Sequence, residues 1–165
     1  MAMKRREFVV AIAGLMAAHR AAASTTPEPA KVDKLTLSDA EWRKRLSREQ
    51  FHILREEGTE RAGSSPLDRE KRKGVYACAG CGLELFTSEA KYDSGTGWPS
   101  FYAPIPGRLG TKTDFKLIYP RTEYHCIRCG GHQGHVFDDG PRPTGKRYCN
   151  NGVALNFKPG TSKTS

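Results

Sequence analysis

Two cysteine pairs of identical spacing, Cys78-Ala-Gly-Cys81 and Cys126-Ile-Arg-Cys129, constrain this chain more than any other feature. Each pair is followed by glycine, Gly82 in one case and Gly130-Gly131 in the other, so each is a tight turn that can bring two thiolates to one side. Two such turns complete a tetrahedral four-sulfur site, the closed arrangement of structural zinc. A metal at that point closes a long loop and offsets the entropy that opposes its closure. The expectation is one structural zinc ion held by Cys78, Cys81, Cys126 and Cys129. Two disulfides, or a redox-active CxxC, are the competing readings.

The rest of the chain fits a fold built around that clasp. From Val75 onward, short apolar or alternating runs are separated by Gly, Pro and Asp. They predict strands over Val75–Cys78, Glu84–Phe86, Phe115–Tyr119, Glu123–Cys126, His135–Phe137, Arg147–Asn150 and Ala154–Lys158. Strands so closely spaced leave no room for βαβ crossovers, so the fold class is mainly β, with two twisted antiparallel sheets. Ahead of them, Ser38 with Glu41 and Ser47 with Gln50 are capping-box patterns. They predict a helix from Asp39 that carries Trp42 and Leu46 inward, and a second that carries Phe51 to Glu57 and ends at Gly58. This N-terminal helical arm should pack on the sheets, with Trp42 in the core and His52 on the surface.

One domain is expected from 165 residues. Lys4-Arg5-Arg6, an apolar run from Phe8 to Ala18, and Ala21-Ala22-Ala23 before Ser24 have the layout of a cleavable export signal. The run is too short for a membrane-spanning helix, which takes about 20 residues. The paired Arg5-Arg6 with Phe8, and the basic His19-Arg20 after the run, fit the twin-arginine route, which exports chains already folded. The expected organisation is a signal over 1–23, a linker over 24–34, the domain over 35–159 and a disordered tail over 160–165, in a periplasmic monomer. The formal charge is +9, from 27 basic and 18 acidic residues. Lys4, Arg5, Arg6, Arg20 and Glu7 account for +3 of it, which leaves +6 on the mature chain. Those charges are interleaved, with no basic helix or aromatic platform for nucleic acid, and no stable membrane insertion is expected.

The fifth cysteine has no partner. Cys149 sits in Lys146-Arg147-Tyr148-Cys149-Asn150-Asn151, downstream of His132 and His135. Cationic neighbours favour the thiolate, the reactive form of the residue. A catalytic metal at the histidines is disfavoured because four cysteines already fill a tetrahedral site. Histidines that serve only the core are the bland alternative.

The segments GHVFDDGPRPTGKRYCNN and YDSGTGWPSF, the second running from Tyr92 to Phe101, are specific. With them the chain resembles the B-type family of peptide methionine-R-sulfoxide reductases, in its zinc-containing form, over roughly Leu37 to Lys158. The resemblance implies a β-tent fold and thiol-dependent reduction of methionine-R-sulfoxide. It implies that Cys149 attacks the sulfoxide sulfur and becomes a sulfenic acid, that His132 or His135 supplies a proton, and that Asn151 aids by hydrogen bonding. Spacing does not rank the two histidines. Trp98 is implied to read the substrate methyl, with Arg147 and Phe137 beside it in the substrate site. Many relatives carry a second, resolving cysteine where this chain has Thr96, so an external thiol or thioredoxin-like reductant is expected, with resolution by another cysteine as the alternative. The implied partners are oxidised proteins and that reductant. A non-catalytic zinc-knuckle binding module and a thiol peroxidase are the competing functions.

Overall fold

The computed structural model describes residues 32–160. The expected export signal, most of the linker and the last residues of the tail lie outside them. Two helices come first, α1 over Asp39–Arg45 and α2 over Arg48–Glu56, and both capping boxes form as the sequence predicts. Trp42, Leu46, Phe51, Ile53 and Leu54 face inward. The end of α2 differs from expectation. The left-handed residue is Glu57 (φ 56°), not Gly58, and its carboxylate is paired with Lys112 and Lys116. Gly58 is needed for space instead, because a Cβ there would lie 2.4 Å from the His52 ring.

Nine strands follow, all paired antiparallel. In order they are β1 (Gly74–Cys78), β2 (Glu84–Thr87), β3 (Lys91–Tyr92), β4 (Ser100–Phe101), β5 (Leu109–Asp114), β6 (Arg121–Cys126), β7 (His132–Phe137), β8 (Arg147–Asn150) and β9 (Leu155–Pro159). They form a three-stranded sheet, β2-β1-β9, and a six-stranded sheet, β3-β4-β8-β7-β6-β5. This is the mainly β, two-sheet architecture with a helical arm that the sequence implies. The core between the sheets is aromatic: Phe86 stacks on Phe101 at 4.1 Å, Tyr76 meets Phe101 edge-on at 5.0 Å, and Tyr124 meets Tyr148 at 5.3 Å. The helix α2 packs across β7 and the short turn Gly152–Ala154, which ties the arm to the strand that carries the histidines.

One expected strand is not there. Phe115 to Tyr119 forms the connection between β5 and β6, and the strand is the polar stretch just before it. β5 is an edge strand with Thr111, Lys112 and Thr113 exposed, so it carries no apolar alternation to read. The strands β3 and β4 are too short for any periodicity to show.

Candidate active site and metal centre

Each CxxC turn is built the same way. The N–H of Gly82 donates to the Cys78 carbonyl at 2.8 Å, and that of Gly130 to the Cys126 carbonyl at 2.9 Å. Both glycines are left-handed (φ 74° and 67°), which reverses the chain directly behind the second cysteine. The turns cap β1 and β6 and face each other, so the four sulfurs lie within 4.8 Å of one another. Cys78 Sγ is 3.6 Å from Cys129 Sγ, and Cys81 Sγ is 3.5 Å from Cys126 Sγ. Tetrahedral zinc with bonds of about 2.3 Å separates its sulfurs by about 3.8 Å, whereas a disulfide needs about 2.0 Å. The donor set fits one structural zinc ion, held by Cys78, Cys81, Cys126 and Cys129, and not two disulfides.

Cys149 lies away from these turns, in the middle of the larger sheet. The register places it directly opposite Ser100 on β4 and His135 on β7, and His135 directly opposite Glu123 on β6. Directly opposed residues share a face with Cβ atoms about 5 Å apart. The row Ser100, Cys149, His135, Glu123 therefore runs across four strands on one side of the sheet. The next row, Asn150, Gly134 and Tyr124, points the other way, and the Tyr124 hydroxyl donates to Asn150 Oδ1 at 2.8 Å.

His132 joins the functional face only because the sheet is irregular. Residues three apart in a regular strand point to opposite faces. Between Tyr124 and His125 the register with β7 slips by one, so that His125 opposes His132 and Gln133 is left over. The bulge returns His132 to the side of His135, with ring centroids 5.5 Å apart. His132 Nδ1 is 2.8 Å from Glu123 Oε1, and His125 Nδ1 is 3.2 Å from Oε2 of the same carboxylate. Burial pushes Glu123 up, but the hydrogen bonds from His125 and His132 prevail and hold it at about 2. Ionised Glu123 accepts the Nδ1–H of His132, which leaves its buried Nε2 without a partner.

The two histidines, equal by spacing, are unequal in place. His135 lines the cavity that holds Cys149, whereas His132 is 2 % exposed behind it. His135 Nε2 donates to Asp114 Oδ2 at 2.7 Å, and the same oxygen accepts from Arg121 at 2.7 Å. Asp114 is held well below the usual carboxylate range by the Lys116 backbone N–H, then by His135 and Arg121, against its burial. Burial lowers the His135 pKa, opposed by Asp114 and assisted by the Arg121 charge. At neutral pH the ring is uncharged, and Nδ1 is its basic nitrogen.

The cavity has a volume of about 300 Å³, small among ligand sites. Its apolar walls are Trp98 and Phe137, and its cationic ones Arg121 and Arg147. Left-handed Gly95 and Gly97 flank Thr96 and turn the loop so that Thr96 and Trp98 both reach the cavity. The Trp98 indole N–H donates to the Glu60 carbonyl at 3.2 Å, which fixes the ring. Arg147 grips Asp139 with two bonds of 2.8 Å and lies 4.3 Å over the Phe137 ring.

The thiol itself departs from what its neighbours suggest. Burial raises the Cys149 pKa, and the Arg147 charge and the hydrogen bonds of Thr96 and Arg147 only partly counter it. Lys146 takes no part, being paired with Asp138. Charge counted along the sequence overlooks the carboxylates that absorb it and the desolvation of a mid-sheet position. Asn151 lines the cavity, but its side chain is committed: Oδ1 accepts from Glu60 N at 3.0 Å and Nδ2 donates to the Gln133 carbonyl at 3.0 Å.

Asp114, Arg121, Glu123 and Glu60 were not readable as site residues. Three come from β5 and β6, far from the motifs. Glu60, 5 % exposed, takes the N–H groups of Gly152 and Val153 at 2.6 and 2.9 Å, just after Asn151. Only the strand parity of Glu123 carried a signal, since it shares a face with His125.

Residues 46–159 match the SelR domain family. The chain is 57 % identical over 122 residues to the peptide methionine sulfoxide reductase MsrB of Methanosarcina barkeri, covering 73 % of this chain and 86 % of that one. It is 50 % identical over 127 residues to MsrB of Agrobacterium fabrum, covering 76 % and 94 %. With the chloroplastic peptide methionine sulfoxide reductase B1 of Arabidopsis thaliana it shares 50 % over 139 residues, 80 % of this chain and 69 % of that one. Matched by the family over most of its length, and with relatives that it covers almost end to end, the chain belongs to the SelR-domain family, that of the MsrB-type peptide methionine sulfoxide reductases.

Proposed function

We propose that the chain reduces methionine-R-sulfoxide to methionine at Cys149 and so repairs oxidised proteins. The observation that carries this is the direct opposition of Cys149 and His135 in a small cavity walled by Trp98, Phe137 and Arg147. A sulfoxide needs a soft nucleophile at sulfur, a proton at oxygen and an apolar place for its methyl, and the cavity has groups suited to each.

The resting pair is a thiol and an uncharged imidazole. As Cys149 sulfur attacks the sulfoxide sulfur, His135 takes the thiol proton on Nδ1 and returns it to the departing oxygen. The oxygen passes to Cys149, the S=O bond breaks, and methionine leaves with the electron pair that Cys149 gave up. Cys149 is oxidised to the sulfenic acid, and no outside proton is consumed. Arg121, shared with Asp114, holds the imidazole face of the cavity, while the sheet behind it, with His132 and Glu123, keeps His135 in place. Asn151 serves by bracing the strand against Glu60 and Gln133.

Two external thiols then return Cys149 to the reduced state, giving a disulfide and water. Thr96 occupies the loop position next to the sulfur, and the other four cysteines are zinc ligands, so a thioredoxin-like protein or a small thiol attacks Cys149 directly. Export by the twin-arginine route is part of the proposal; replacing Arg5 and Arg6 by lysine should keep the chain in the cytoplasm. The zinc site supplies no chemistry to the reaction and holds β1 and β6 in place.

The test is single-turnover reduction of resolved methionine sulfoxide epimers by the zinc-loaded chain, beside Cys149→Ser, with intact-mass analysis. Loss of the R epimer, abolished by the substitution, and one oxygen gained on Cys149 are expected. No turnover of either epimer would instead leave a binding module.

A further inference from the structure

The largest apolar exposure among the described residues is concentrated in the turn between β5 and β6. Phe115, Leu117, Ile118 and Tyr119 are 75, 47, 105 and 64 % exposed. A soluble surface rarely gathers so many large apolar side chains without a use for them. Lys116, the polar residue of the run, is half exposed and is pinned at the surface, its Nζ 2.8 Å from Glu57 Oε2. Its backbone N–H also donates to Asp114 Oδ1 at 2.8 Å. The base of the turn is thus fastened by polar bonds while its apolar side chains stand clear of the body.

The place of the turn says what it meets. It springs from the rung Asp114–Arg121, where Arg121 lines the cavity and Asp114 holds His135. That rung is two residues along β6 from the Glu123 rung, about 7 Å, and β6 lies two strands from β8, about 10 Å. An extended peptide with its sulfoxide at Cys149 covers about 3.3 Å per residue, so residues some four or five positions away arrive at the turn. We propose that Phe115, Leu117, Ile118 and Tyr119 form a docking surface for apolar segments of unfolded polypeptide flanking an oxidised methionine. This rests on the reductase reading above and adds to it a preference among substrates.

Other occupants fit less well. A six-residue turn is too small to supply the roughly 1,200 Å² that a stable dimer buries. A membrane surface would call for cations beside the apolar tip, and Lys116 is already paired.

The experiment compares two substrates: a single methionine-R-sulfoxide residue blocked at both ends, and an unfolded peptide with the same residue between apolar flanks. The enzyme is the zinc-loaded chain and its variant carrying Phe115→Ser, Leu117→Ser, Ile118→Ser and Tyr119→Ser. The variant should keep its activity on the blocked residue and lose about tenfold in kcat/KM on the peptide through KM, about the weight of a few anchor contacts. Replacing the apolar flanks by serine should produce the same rise in KM with the unaltered enzyme, a control independent of folding of the variant. Equal loss on both substrates would make the turn a structural support of the site, and loss on neither would leave it no part in docking; either overturns the proposal. So would unchanged peptide kinetics with loss of binding to neutral lipid vesicles, or with loss of self-association. Failure of the unaltered enzyme on the blocked residue would instead sink the reductase reading.

Discussion

Two cysteine centres in one chain solve opposite problems. At the metal end, two turns of the same build aim four sulfurs at a common point, and the site is closed on itself. At mid-sheet, a single half-buried thiol has no partner sulfur, and the groups around it are each held by a carboxylate: Arg147 by Asp139, His135 by Asp114, His132 by Glu123. The first centre contributes stability and takes no part in the chemistry. The second is open to solvent on one side and leaves its reactive atom free, with orientation supplied by neighbours whose charges are already matched.

The strongest way to break this contrast is to exchange the roles. Cys129→Ser should unfold the domain, because structural zinc contributes on the order of 10 kcal/mol, comparable to the whole stability of a domain. Cys149→Ser should abolish sulfoxide reduction and shift stability by only about 1 kcal/mol. Circular dichroism beside the turnover assay separates the two.

Next in size is the acid that backs the histidines. Glu123→Gln should cost about 3 kcal/mol in chemical denaturation at pH 7, since it strips a buried pair of its negative partner. The sign with pH follows from the depressed Glu123 pKa of about 2. Its contribution is complete above about 4.3, the unfolded value, and is lost as pH falls toward 2. The variant should show a flatter acid limb. Glu60 is the counter-case, because burial raises its pKa against the bonds of Val153 and Gly152. Its protonation favours the folded state as pH falls through that raised value toward the unfolded one, so Glu60→Gln should remove a contribution of opposite sign.

The smaller effects concern the thiol. Arg147→Ala should move the pH midpoint of Cys149 alkylation further upward, followed by intact mass, because it removes the leading opponent of burial. Thr96→Val should do the same to a lesser degree, and a downward shift in either would contradict the arrangement described here.

How much of this was legible depended on whether the information was local. The zinc ligands, both capping boxes, Trp42 in the core and Trp98 in a glycine-turned loop follow from residues adjacent in sequence. The histidine arrangement does not, because the bulge at Gln133 is set by pairing with β6. Asp114 and Arg121 were hidden for the same reason: their partner, His135, is reached only across the sheet. Phe115 to Tyr119 reads as a strand because it is an apolar run between Asp and Pro, whereas in the fold those side chains are exposed in a turn. Of the two cations beside Cys149, Arg147 does act on the thiol but is outweighed by burial, and Lys146 does not, being paired with Asp138 at a turn's distance.

The leftover residue of the bulge has one more consequence. Gln133 lies between the two centres: its Nε2 is 3.5 Å from Cys78 Sγ, its Oε1 3.4 Å from Asn150 Nδ2, and its carbonyl takes the N–H of Asn151 at 2.8 Å. The same irregularity that aims His132 therefore leans on a metal ligand at one end and on the strand of Cys149 at the other. Removing the metal should therefore unsettle the histidines as well as the clasp, so that sulfoxide reduction falls in step with zinc content.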